Sequence, residues 1–302
     1  MTDLPPAQSR RPLGKSGLTV SALAWGNWRL CGDDVDAVVR LLYAALDAGI
    51  DFIDTADIYG PDNNEPFGAS EQLLGRALAT DPALRDKFVI ATKGGISMGV
   101  PYDSSAEYLT SAIDASLQRL GTDRVEMWQI HRPDMLTHPA EIAKAIETAH
   151  KAGKIRSFGV SNFTVSQIAT LQQYLSLPIV STQPELSALK LAPIENGELD
   201  QAIAMDMAVM AWSPLGGGRL ANPVDERDTV VAALLDEVAG AYDVSRTAAA
   251  YSWIMAHPAR PIPIVGSQKA ERIAEAADAL KVRWTRAEWY AVFVASKGEP
   301  LP

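Results

Sequence analysis

From Phe52 to Val265 short apolar runs alternate with longer segments of helical period, and this alternation limits the fold more than any other feature of the chain. The runs are Asp51-Phe52-Ile53, Lys87 to Thr92, Val125 to Ile130, Ile155 to Val160, Ile179 to Thr182, Ala208 to Trp212 and Ile262 to Val265. Runs apolar on both faces suit parallel strands covered by helices. An earlier run around Val20 to Ala24 brings the set to eight. Helix signals fall between them. Asp33 and Asp34 precede apolar positions 35, 38, 39, 42, 45 and 46, and Gly49 ends that segment. Ser104 to Glu107 and Thr164 to Gln167 read as capping boxes, with Gly121 and Gly153 as C-terminal stops. Further helices are expected near 196–206, 228–240, 245–257 and 269–280.

Eight strands with helices between them predict an α/β fold, the (β/α)8 TIM barrel. Arg11 to Leu18, turning at Gly14-Lys15-Ser16-Gly17, is expected to form an N-terminal β-hairpin outside the barrel, and Thr285 to Ser296 a C-terminal helix outside it. No linker or compositional break divides residues 1–302, so a single domain with residues 1–10 as a flexible tail is expected. The competing open sheet would need Gly-x-Gly-x-x-Gly after its first strand to hold a dinucleotide, and that motif is missing. Gly216-Gly217-Gly218 lacks the Lys-Ser/Thr of a phosphate-cradling loop.

Charge and composition narrow the function. A net charge of −10 repels nucleic acid and anionic lipid, and no apolar run is long enough to span a bilayer. Cys31 stands alone, which excludes an internal disulfide and a cysteine-rich metal site. Ser9-Arg10-Arg11 loosely resembles a twin-arginine export signal, but Gly26, Asn27 and Trp28 stand where small cleavage-site residues belong, so a cytoplasmic location is expected. The histidines lack metal-ligand spacing, and no metal is expected. Nothing in the sequence sets an oligomeric state, and a monomer is compatible with it.

In a barrel, residues just beyond the strands' carboxyl ends share one mouth. Here they are Asn27-Trp28, Asp54, Lys93, His131, Ser161-Asn162, Gln183, Trp212-Ser213 and Gly266-Ser267. Asp54, Lys93 and His131, with Tyr59, make an acid/base set. Two unit charges ~4 Å apart at an effective dielectric of ~20 interact by ~4 kcal/mol, roughly 3 pK units. An interaction of that size would let Lys93 draw the Tyr59 phenol from about 10 toward neutrality and make it a general acid. His131 would orient a carbonyl oxygen, and Asp54 would keep Lys93 charged. Asp57 reads as a loop fastener.

At these residues the chain resembles the aldo-keto reductase superfamily. Leu13 to Ser21 is similar to its opening hairpin, Asp51 to Gly60 to its Asp/Tyr signature, and Ala91-Thr92-Lys93 to its lysine motif. Gln129 to Asp134 resembles the histidine motif and Gly159 to Phe163 the nicotinamide-contact segment. The resemblance implies Asp54, Tyr59, Lys93 and His131 as catalytic residues, NADPH as hydride donor, and a small-molecule aldehyde or ketone as substrate. It further implies Gly26, Asn27, Ser161, Asn162 and Gln183 near the nicotinamide and Trp212 stacked on it. Ser213, Leu215, Gly216 and Arg219 would fold over the pyrophosphate. Gly266, Ser267, Gln268 and Lys269 would meet the adenosine end, with Arg272 at the 2′-phosphate. Trp28, Arg29, Tyr102 and Arg132 would line the substrate pocket. Glu275-Ala276 departs from the family's Glu-Asn pair. Two other readings stand beside this one. The superfamily's potassium-channel β subunits make an NADP(H)-binding regulatory role an alternative, and a Schiff-base lysine would make Lys93 an aldolase residue.

Overall fold

A computed structural model describes residues 3–302. Two short strands, β1 (Arg10–Pro12) and β2 (Thr19–Ser21), form an antiparallel hairpin. Eight parallel strands follow: β3 (Ala24–Gly26), β4 (Phe52–Asp54), β5 (Val89–Gly94), β6 (Val125–Ile130), β7 (Ile155–Ser161), β8 (Ile179–Gln183), β9 (Ala208–Ala211) and β10 (Ile262–Val265). They close in sequence order, β10 pairing with both β9 and β3. The expected barrel is present.

Side chains divide by strand face. Phe52, Ala91, Met127, Val180, Met210, Ile262 and Ile264 pack inside the barrel, and Leu13 and Val20 of the hairpin join them. The hairpin therefore closes the barrel floor. Asp51 fastens it by accepting from the Ser21 backbone at 2.8 Å and pairing with Arg10. Opposite-facing residues such as Ile53, Ile90, Trp128 and Phe158 pack under the helices. With the floor sealed, polar groups at the strand ends have only the carboxyl mouth as an outlet.

Three expectations are corrected. The first strand is not Val20 to Ala24: Val20 belongs to the hairpin, where it is apolar because it plugs the floor, and the barrel strand is Ala24–Gly26. The helix Ala106–Leu120 is capped by Ser105, whose hydroxyl accepts from the Tyr108 amide at 3.3 Å. Ser104 is instead buried, its amide donating to Asp134 at 3.0 Å. Finally, the tail expected to be free is fastened from Asp3 onward. Asp3 bridges to Thr285, Leu4 donates to the Trp284 carbonyl at 2.8 Å, and the Ser9 carbonyl accepts from Ala22 at 2.9 Å. Met1 and Thr2 lie outside the described residues.

The final helix, Arg286–Lys297, opens with a capping box between Thr285 and Glu288. Its Trp289 stacks on Trp253 at 4.8 Å, and each indole donates to the other's backbone carbonyl. Both tryptophans are thus packing residues, as their helical positions suggest. No described helix is long and apolar enough to cross a membrane.

Candidate active site

Asp54 ends β4, and Lys93 lies near the end of the adjacent β5. Lys93 is fully buried and donates to Asp54 Oδ2 at 2.8 Å and to the Thr55 carbonyl at 2.8 Å. Gln183, from the end of β8, donates its Nε2 across the barrel to Asp54 Oδ1 at 2.9 Å. Tyr59 comes from the loop after β4, which is held by the Ser70 amide donating to the Tyr59 carbonyl at 3.2 Å. The Lys93 Nζ sits 5.0 Å from the centre of the Tyr59 ring. His131, anchored by its amide on the Gly94 carbonyl at 2.8 Å, meets Tyr59 edge to face with ring centres 5.8 Å apart. All four residues expected in the acid/base set therefore meet at one mouth.

The electrostatics differ from the sequence-based expectation at one point. Burial pushes the Tyr59 phenol up, Lys93 pulls it down, Asp54 pushes it up again, and the balance lies above 10.0. The phenol is not drawn toward neutrality. It stays protonated, the form a proton donor needs. For Lys93, burial works against the charge, but Asp54 and Tyr59 outweigh it and raise the ammonium above 10.5. A lysine held charged in this way lacks the free amine of a Schiff-base enzyme. His131 is driven well below 6.5, first by burial and then by Lys93 and Arg132, so its imidazole is neutral.

The residues expected around a dinucleotide lie along the same rim. Ser161 donates to the Gln183 carbonyl at 2.9 Å. Asn162 adopts φ 60°, donates to Ser161 Oγ at 2.8 Å and the His131 carbonyl at 3.2 Å, and accepts from the Trp212 indole at 2.9 Å. Ser213, at φ 52°, accepts from the Gly217 amide at 2.8 Å. Left-handed backbone at two non-glycine residues in this segment costs energy and is typical of ligand-binding turns. Gly216 also has positive φ, and Leu215 packs on the outer core. Arg219 is held by Asp228 at 2.7 and 2.6 Å and by Asp225 at 2.6 Å.

Beyond β10, Gln268 donates to the Gly26 carbonyl at 3.1 Å, and the Lys269 amide donates to Ser267 Oγ at 3.2 Å. Arg272 pairs with Glu275 at 2.8 Å. Both amide atoms of Asn27, Gln268 Oε1 and Glu275 Oε1 are buried without a partner among the described residues. Each such group costs about 1–3 kcal/mol unless something bonds it. This supply of unmet polar atoms fits a polar dinucleotide.

Residues 22–293 match the Aldo/keto reductase family. The chain belongs to this family. It is 57% identical to a 6-dehydroglucose reductase of Novosphingobium aromaticivorans, with all of both chains covered. Identity to an oxidoreductase of Escherichia coli K12, YdhF, is 34%, over 97% of this chain and 99% of the other. Among solved structures, the glycerol dehydrogenase AKR11B4 of Gluconobacter oxydans superposes with a TM-score of 0.84 at 25% identity, covering 97% of this chain and 98% of that one.

On this aldo/keto reductase the residues expected on the substrate side fall in three places: Trp28 with Arg29, Tyr102 by itself, and Arg132 beside Trp212. Trp28 is 42% exposed, its indole donating to Asp62 at 3.1 Å and its carbonyl accepting from Asn63 at 2.6 Å. Arg29 lies over Trp28 at 4.7 Å and reaches the Gly266 carbonyl at 3.3 Å, so it leans toward the rim expected to hold a dinucleotide. Tyr102 is exposed on the loop after β5, and Arg132 lies over Trp212 at 5.5 Å. Sequence reasoning gave no role to Asp134, although it stands in the histidine motif. Its carboxylate accepts from Ser104, Leu136 and Thr137 and ties the loop after β6 to that after β5. The Asp-x-x-Thr spacing was the available signal.

Proposed function

We propose that this enzyme reduces the aldehyde of a sugar or a related polyhydroxy compound to the alcohol, using NADPH. The observation that carries the reading is a buried Lys93–Asp54 pair beneath a protonated Tyr59, with a neutral His131 beside it. The substrate class is supported by the full-length relative named 6-dehydroglucose reductase. Arg272 and Lys269 beyond β10 favour NADPH over NADH, because they bring positive charge to the segment expected at the 2′-phosphate.

When bound, the reduced nicotinamide supplies the hydride. Ser161, Asn162 and Gln183 would hold its carboxamide, with Trp212 as the stacking surface. Tyr59 gives its phenolic proton to the carbonyl oxygen as negative charge grows there. The Lys93 ammonium stabilises the phenolate left behind, and Asp54 keeps that ammonium charged and aimed. Neutral His131 donates a hydrogen bond to the same oxygen and sets its approach. A cytoplasmic location accords with the lone, exposed Cys31, which needs no oxidising compartment.

NADPH oxidation with 6-dehydroglucose and with glyceraldehyde tests the reading. Tyr59→Phe should lose roughly 10²–10⁴ in kcat while still binding NADPH. Equal turnover by the two proteins would remove Tyr59 from its role.

A further inference from the structure

We propose that Arg132 sets the substrate preference by binding an oxygen substituent on the carbon next to the reacting carbonyl. This rests on the carbonyl-reductase reading above and deepens it. Arg132 follows His131 directly, and its guanidinium lies 5.5 Å from the centre of the Trp212 ring. It is close enough to His131 and Tyr59 for its charge to act on both. Those two residues grip the carbonyl oxygen, so Arg132 stands where the neighbouring substituent of a substrate must pass.

Arg132 has no ion pair and no side-chain hydrogen bond among the described residues, although it is half-buried. The other partly buried arginines each pair with a carboxylate. Arg119 pairs with Glu71 and Arg85 with Glu126, while Arg219 holds two carboxylates. Within the mouth the Lys93 charge is balanced by Asp54 and His131 is neutral, so the Arg132 charge beside them is left without a counterpart. The cation–π contact with Trp212 holds the guanidinium over the ring and uses none of its N–H donors. A planar fork of donors suits two oxygens on neighbouring atoms, which a point charge such as lysine does not match. In a 6-aldehydo hexose the carbon next to the aldehyde bears such an oxygen. An unsubstituted aldehyde offers none.

The test compares D-glyceraldehyde with propanal, which have the same chain length, in wild type, Arg132→Met and Arg132→Lys. Losing a charge-assisted hydrogen bond should cut kcat/KM for glyceraldehyde ~10- to 100-fold, mainly through KM. The glyceraldehyde-to-propanal ratio should fall by at least ~10-fold in the Met variant and substantially in the Lys variant, which keeps charge without the fork. NADPH quenching of tryptophan fluorescence identifies folded protein, and the Lys variant carries the test where the Met variant does not fold. Equal losses on both aldehydes overturn the role of Arg132 alone. A wild type that reduces neither these aldehydes nor 6-dehydroglucose overturns the proposed function, and this inference with it.

Discussion

Gln183 donates to one oxygen of the buried Asp54 carboxylate at 2.9 Å, while Lys93 donates to the other at 2.8 Å. One side chain thus joins the acid/base set to the rim expected to hold the nicotinamide, since the amide oxygen of Gln183 remains free for a further donor. Gln183→Met keeps the bulk and removes both functions. Its cost is about 1–3 kcal/mol for the weakened bonding of a buried carboxylate, together with a ~10-fold or greater loss of NADPH affinity. Thermal melting and fluorescence titration read the two effects separately. A melting temperature and affinity both equal to wild type would show that the bond is idle.

The pH profile of reduction follows from Tyr59 and His131. With Tyr59 as the proposed general acid, reduction requires the protonated phenol, whose pKa burial raises above 10.0, so activity should be lost only as pH rises beyond that value. On the acid side, His131 takes up a proton only well below 6.5. The profile of kcat/KM should therefore be flat from about pH 6.5 to about pH 9.5, and its alkaline limb should vanish in Tyr59→Phe. An alkaline limb near neutrality would mean that Lys93 acidifies the phenol more than burial opposes it.

The barrel and the positions of Asp54, Tyr59, Lys93 and His131 were legible because strand ends, motif spacing and the resemblance agree on one mouth. The Tyr59 proton affinity was not, because Coulomb's law applied to two residues omits the desolvation that other parts of the chain impose. The floor hairpin hid the first strand for a related reason. Val20 is as apolar as a barrel strand residue, and only closure shows which end of the cylinder it fills. Gly75 carried no readable signal at all. A Cβ there would run into the Arg119 carbonyl and the Leu120 backbone, where two helices cross closely.

Asp57 is buried, and neither carboxylate oxygen has a hydrogen-bond partner among the described residues. Burial, reinforced by Glu71, raises its pKa well above 3.8, so the folded protein retains a proton that the unfolded chain releases. Stability from this site is greatest below pH 3.8 and falls as pH rises toward the folded pKa. Asp57→Asn removes that fall. The variant should be more stable than wild type at neutral pH, by about 1.4 kcal/mol for every tenfold by which folding tightens proton binding at this carboxylate, and the gap should close in acid. Denaturant melts at several pH values measure it. An Asn variant no more stable at pH 8 would reveal a partner for the carboxylate.

Arg272 offers the sharpest test of cofactor choice because its present partner works against it. The guanidinium is more than half exposed and pairs with Glu275 at 2.8 Å, one turn along the same helix. A 2′-phosphate would have to share or displace that carboxylate, and solvent screens what it gains. The preference should therefore lie near the low end of the 1.5–3 kcal/mol range for charge-assisted bonds. Arg272→Ala should weaken NADPH binding by ~10-fold and NADH binding by less than ~2-fold, with the difference shrinking in high salt. Glu275→Gln should act in the opposite direction, since it frees the Arg272 guanidinium from its ion pair. Equal losses for both cofactors in Arg272→Ala would place the 2′-phosphate elsewhere on the rim, with Arg29 and Lys269 as the remaining cations near Gly266.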